Sequence, residues 1–144
     1  NIATTFRSTG TPADFLHPSE AQHGGLGLLQ PNDVMPLISH SGKTREIIEL
    51  TALARGLRPD VKFIVITGNK DSQLAKEANI CLYTGNPKEV CILGLTPTTS
   101  TTMMTVIGDI IVVGTMKKIK FTNEEYAKRH HGGYLGEKSR EQSK

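Results

Sequence analysis

The sequence predicts an α/β protein built on a parallel sheet, and three observations carry that prediction. Short β-branched runs, "DVMPLIS" (33–39) and "VKFIVI" (61–66), each end in a cluster of turn-forming residues. Helical patterns lie between such runs, so strand and helix alternate along the chain, the arrangement that gives a parallel sheet with right-handed crossovers. The length, 144 residues, suits a single domain.

Each element follows from its residues. "NIATTFRS" (1–8) reads as the end of a helix already under way. A parallel α/β domain seldom starts there, so the domain is expected to be incomplete at its N-terminus, without its first strand and turn. "ADFLH" (13–17) is a weak strand. "DVMPLIS" is a stronger one, but Pro36 removes a ladder donor, which predicts an edge position or a local distortion. In 44–58, Ile47, Leu50, Ala54 and Leu57 recur at helical spacing and predict one buried face. "VKFIVI" is a buried strand, "DSQLAKEAN" (71–79) a capped helix and "NICLYT" (79–84) another strand. Residues 98–118 form a long helix whose last turn holds Lys117 and Lys118, where the helix dipole favours cations. "TNEEYAKRH" (122–130) opens with a capping residue and acids in its first turn.

Composition narrows the function classes. Net charge is +3 and aromatics are 5%, without the concentrated basic face and stacking rings of a nucleic-acid binder. The apolar part of the 98–118 segment is shorter and more broken by Thr and Gly than a membrane span of about 20 apolar residues. The first residues carry no secretory signal pattern, so a cytoplasmic protein is expected. Cys81 and Cys91 show neither a CxxC nor a paired His cluster, which argues against structural zinc. Two reduced thiols are the reading favoured over a disulfide.

Small hydroxyl residues gather where strands end: "STGT" (8–11), "SHSGKT" (39–44), "TGNKDS" (67–72) and "TPTTSTT" (96–102). Open parallel sheets bind ligands beyond the carboxyl ends of their strands. A phosphate at a helix N-terminus is held by free backbone N–H groups and the dipole, with small hydroxyls as extra donors. "SHSGKT" has that chemistry, yet it is neither a GxxxxGK[ST] loop nor a GxGxxG loop. Any one cluster also reads as ordinary caps and turns. Several at one end of a sheet point to a phosphorylated ligand.

With "STGTPADFLHPSEAQHGGLG" before it and "LGLTPTTSTT" and "HHGGYLG" after it, "SHSGKT" resembles the sugar isomerase (SIS) domain family, and within it the arabinose-5-phosphate isomerases. The resemblance implies a Rossmann-like three-layer SIS sandwich over residues 1–144, a homotetramer with shared active sites, and interconversion of ribulose 5-phosphate and arabinose 5-phosphate for Kdo, lipopolysaccharide or capsule sugars. No CBS domains are expected after it. Several positions depart from the family pattern. "SNSGET" is "SHSGKT", so His40 and Lys43 stand for Asn and Glu. "HGDLG" is "HGGLG", with Gly25 for Asp, and "HPGG" is "HHGG", with His131 for Pro.

Aldose–ketose isomerisation needs a base that moves a proton between two carbons through an enediol, and donors that polarise the oxygens. It requires no cofactor. The resemblance makes Glu89 the enediol base, Glu46 a second carboxylate important for activity and His130 a proton carrier to the sugar oxygens. As bare residues, Glu89 reads as a solvated loop acid, Glu46 as a helix-dipole acid, and His130 with His131 as a helix C-cap. Which of the two histidines acts stays open. The resemblance assigns phosphate to Ser39, Ser41 and Thr44, and sugar contacts to Gly10, Thr11, His17 and His23, with His17 also the site of an inhibitory divalent metal. Ser100 and Thr101 would add contacts, or bond back to the preceding helical turn. A non-catalytic SIS module that only binds a phosphosugar is the alternative.

Overall fold

The structure, a computed structural model, describes residues 1–143 and divides into two compact units, Leu16–Ile107 and Asn1–Phe15 with the chain from Gly108 onward. The first unit holds α2 (Pro18–Ala21), a 3-10 turn (Gly25–Leu28), β1 (Val34–Ile38), α3 (Arg45–Leu57), β2 (Lys62–Thr67), α4 (Gln73–Glu77) and β3 (Ile80–Tyr83). The strands form a parallel sheet in the order β1-β2-β3, with Leu37 beside Val65 and Val65 beside Cys81. The α/β class and parallel sheet follow the sequence pattern.

Pro36 sits where its chemistry allows. Among the described residues β1 pairs with β2 alone. The Ser39 amide donates to the Ile66 carbonyl at 3.1 Å. Because strand groups alternate in direction, the Leu37 and Met35 amides face β2 as well, and the donorless Pro36 nitrogen faces the open edge.

The core joins Leu37, Phe63 and Val65 of the sheet with Leu50 and Ala54 of α3 and Leu74 of α4. Burial of side chains this size contributes roughly 1.5–3 kcal/mol each. Ile47 packs at its margin, as the helical spacing predicts. Leu57 departs from that prediction and is 43% exposed. It occupies the last turn of α3, next to Arg58, whose backbone is already extended. Beside α3, Thr51 Oγ1 donates to Glu77 Oε2 at 3.0 Å and Arg55 Nη2 to the Glu77 carbonyl at 2.8 Å, tying α4 to α3.

"ADFLH" is not a strand. Residues 11–17 are irregular and Phe15 is 75% exposed. Pro12 and Pro18 bracket the segment, and it makes no ladder with the sheet. Two short elements that follow, α2 and the 3-10 turn, have no counterpart in the sequence pattern. His17 caps α2 by accepting from the Ser19 amide.

The second unit contains α1 (Ile2–Ser8), α6 (Asn123–Arg129) and α7 (Gly133–Gln142), with the latter part of α5 (Thr99–Lys118). A Cβ at Gly108 would collide with the Ile2 side chain, so α1 approaches α5 at its glycine. Ser139 Oγ donates to the Asn123 carbonyl at 2.5 Å and joins α7 to α6.

By length and composition, α5 is the one helix among the described residues that could cross a membrane. Its length is thus that of a span, while Thr and Gly interrupt it as the sequence predicts. Asp109 lies exposed within it, and an ionised carboxylate is costly at the centre of a bilayer. Much of its apolar surface is uncovered, including Val106, Ile110 and Val113.

Candidate functional site

The carboxyl ends of all three strands open onto one cleft of about 390 Å3. The turn after β1 contributes His40, Ser41 and Lys43, and the turn after β2 contributes Gly68, Asn69 and Lys70. Tyr83, at the end of β3, lines it from the third strand. This is where an open parallel sheet places its ligand.

The "SHSGKT" turn is held by its own hydroxyls. Ser39 is buried, its Oγ lies 2.7 Å from Thr44 Oγ1, and it accepts from the Gly42 amide at 3.1 Å. Ser41 Oγ accepts from the Lys43 amide at 3.1 Å. Gly42 has φ 63°, and a Cβ there would run into the Ser72 side chain, so both conformation and space require glycine. The Asn69 side-chain amide donates to the Ser41 carbonyl at 3.2 Å, and the Gly68 amide to the His40 carbonyl at 2.9 Å, fixing the two turns to each other. Thus Ser39 and Thr44 shape the loop from within. Ser41 and Lys43 are exposed on the cleft side.

His40, which stands for the family's Asn, lies against Gly68. A Cβ at Gly68 would come within 2.7 Å of His40 Nδ1, a nitrogen that is buried and has no hydrogen-bond partner among the described residues. Neither Lys43 nor Lys70 belongs to an ion pair among the described residues. Asp71 is the acid that lines the cleft beside them.

Glu89 and Ser100 meet at the start of α5. Glu89 Oε2 accepts from the Thr98 amide and hydroxyl, each at 2.8 Å, and from the Ser100 amide at 3.3 Å. The Ser100 side chain and the Thr98 amide lead the set of donors that pulls the Glu89 carboxyl down to about 2. Glu89 is therefore a helix-capping carboxylate, held ionised across the physiological range. Thr101 Oγ1 donates to the Thr98 carbonyl at 2.8 Å, the back-bonding arrangement that is its structural alternative. Glu46 is exposed in the first turn of α3.

The remaining sequence-predicted residues lie elsewhere. His17 Nδ1 lies 2.7 Å from Ser19 Oγ. His23 is exposed. No group of three or more His, Cys, Asp or Glu residues converges to hold a metal among the described residues. A Cβ at Gly25 would approach the Glu20 carbonyl to 2.8 Å, so the loop as folded has no room for the family's Asp. Gly10 and Thr11 line a second pocket of about 230 Å3, in the other unit, with Arg7 and Arg129. His130, in that same unit, is the C-cap of α6. Cys81 and Cys91 are free thiols.

Lys70, Tyr83 and Asn86 line the main cleft without having been singled out by the sequence. The "TGNKDS" cluster at a strand end was the signal for Lys70. Tyr83 and Asn86 carried none.

The fold and site define an α/β protein with a cleft at the carboxyl edge of its sheet, lined by Ser41, Lys43 and Lys70 among others. The chain belongs to the SIS domain family, whose profile matches residues 1–113. Arabinose 5-phosphate isomerase KdsD from Yersinia pestis is 46% identical over 137 residues, 95% of this chain and 41% of that protein. The protein of the same name from Escherichia coli K12 is also 46% identical, with the same coverage. The chain thus spans about two fifths of the length of these curated relatives. A Bacteroides fragilis structure assigned as a phosphosugar isomerase involved in capsule formation matches with a TM-score of 0.91 and 72% identity, covering 93% of this chain and 70% of that one. An Escherichia coli CFT073 protein solved in complex with arabinose 5-phosphate matches with a TM-score of 0.78 and 37% identity, covering 87% of this chain and 65% of that one.

Proposed function

We propose that this chain forms the sugar-phosphate-binding body of an isomerase that interconverts ribulose 5-phosphate and arabinose 5-phosphate through an enediol. The observation that carries the reading is the cleft at the carboxyl ends of β1, β2 and β3, floored by the "SHSGKT" turn and edged by Lys43 and Lys70. It offers hydroxyls, backbone amides and positive charge to a phosphate dianion. The names of the isomerase relatives and the sugar-phosphate complex of the Escherichia coli CFT073 protein support the same ligand class.

In this reading Ser41, with the loop that Ser39 and Thr44 shape, receives the phosphate, while Gly10, Thr11, His17 and His23 belong to the sugar-binding set. Glu89 is the base. Its Oε2 is committed to the start of α5, which leaves Oε1 for proton transfer. A carboxyl held near 2 is a weak base in water, and enclosure with substrate raises it by desolvation. Glu46 and His130 support the transfer, and the chemistry draws on no cofactor. His17 would take an inhibitory divalent metal.

The working protein is a cytoplasmic homo-oligomer, a tetramer with shared active sites, that serves Kdo, lipopolysaccharide or capsule sugar synthesis. Support for association comes from the exposed apolar side chains of α5 and from those of Val90, Ile92, Leu93 and Leu95. Residues 1–144 act as one SIS domain.

The test is turnover of ribulose 5-phosphate by the purified protein in deuterated water. Product formation with deuterium incorporated at carbon supports an enediol isomerase. Tight phosphosugar binding with no exchange supports the non-catalytic module, which the capping role of Glu89 favours. Glu89→Gln is expected to lower kcat far more than it weakens binding, and full activity in that variant refutes Glu89 as the base.

A further inference from the structure

His130 and His131 are adjacent, and the structure distinguishes their surroundings within one unit. His131 is exposed and its ring has no hydrogen-bond partner among the described residues. His130 is half-buried, and its imidazole stacks on Tyr126 with centroids 3.8 Å apart and planes 9° from parallel. His130 Nδ1 lies 3.0 Å from the Tyr126 carbonyl oxygen, which also accepts from the His130 amide at 3.1 Å. A carbonyl oxygen only accepts, so Nδ1 must carry a proton in this contact. Tyr126 is itself braced by Phe121, edge to face at 6.4 Å, and Arg129 lies over the Phe121 ring at 5.5 Å. On the other side, α7 closes against the turn, where a Cβ at Gly136 would strike the His130 carbonyl.

We propose that Tyr126 is the positioning residue of His130: its carbonyl and ring hold the imidazole with the proton on Nδ1, leaving Nε2 as the atom that exchanges protons with a sugar-phosphate ligand. The proposal rests on the isomerase reading for its chemistry. Nε2 takes the proton of the substrate hydroxyl to give the imidazolium and passes it to the neighbouring carbonyl oxygen. When the enediol collapses, the former carbonyl oxygen is the new hydroxyl, the former hydroxyl oxygen is the new carbonyl, and no net proton is consumed. His131, one residue on, has no such anchor and is the bystander of the pair.

Nitrogen NMR of the full protein tests the anchor without any turnover, with the His130 signals assigned from their loss in His130→Gln. A neutral His130 ring protonated at Nδ1 is expected, and a ring protonated at Nε2 overturns the proposal. Kinetics test its consequence. Tyr126→Phe keeps the ring and the carbonyl and is expected to retain kcat within about twofold. Tyr126→Leu removes the stack and should lower kcat by roughly tenfold with little change in KM, part of the ~10²–10⁴ that a positioned acid–base group supplies. A Leu variant as fast as the parent, or a Phe variant as slow as Leu, overturns the proposal. If the protein turns over no phosphosugar, the isomerase reading fails by itself, and the nitrogen shifts alone decide whether Tyr126 sets the tautomer.

Discussion

Glu89 Oε2 lies 2.8 Å from both the amide nitrogen and the hydroxyl of Thr98, so a single carboxylate oxygen closes the start of α5. The folded carboxyl titrates near 2, below the ordinary glutamate range. A group depressed in this way stabilises the fold fully above its unfolded value and loses that contribution as pH falls toward its folded one. The parent should therefore exceed Glu89→Gln in urea midpoint by a constant margin from neutral pH to about 5, and the margin should shrink toward about pH 2. Carboxylates common to both proteins cancel in the difference. A margin that stays flat under acid would show that Glu89 is not held ionised by the cap.

Gly42 supports a second prediction. At φ 63° beside Ser72, it has neither the conformation nor the space for a side chain. Gly42→Ala should destabilise the protein by about 1–3 kcal/mol, the range for a strained backbone position. Chemical denaturation measures this, and an unchanged midpoint would mean that the turn relaxes freely.

Lys43 stands where relatives of the resembling family carry Glu, and it has no acid partner among the described residues. An exposed charge contact is worth about 0.2–1 kcal/mol. Lys43→Ala should raise KM for the sugar phosphate by roughly 2–5-fold with kcat nearly constant, and Lys43→Glu should raise it further. Added salt should narrow the difference between parent and variants. Equal KM for parent and Lys43→Glu would place the ammonium group away from the phosphate.

Ile110 and Val113 are each 63% exposed on α5. Ile110→Asp puts a charge on the surface proposed to be covered by another copy. Light scattering should report a smaller particle for that variant at equal concentration, with its helical circular dichroism retained. An unchanged mass would move the contact to another face.

The strands were legible because β-branched runs ending in Gly, Ser and Asn clusters express local preference and burial together. Pro36 even indicated which strand stands at an edge. "ADFLH" misled because an apolar pair between two prolines looks like a short strand, although no neighbour completes its ladder. α7 was illegible for the opposite reason. "GYLGEKSREQ" is polar, starts with glycine and has no side-chain cap, and what marks it as part of the packed unit is the burial of Gly136 and Ser139 and the tie to α6. At the site, the "SHSGKT" chemistry could be read from residue types. The inward turn of Ser39 toward Thr44 could not, because it depends on backbone direction. Tyr83 and Asn86 reach the cleft from a third segment, a convergence that only the folded sheet produces.

The outward-facing Pro36 nitrogen bears on how the protein tolerates company. Exposed strand edges are templates on which chains nucleate aggregates, and a proline in the row of donors blunts them. Any segment that comes alongside β1, from this molecule or another, meets a ladder with one rung missing. Growth of a continuous intermolecular sheet would be interrupted at that point, so Pro36 limits pairing along the edge that β1 presents among the described residues.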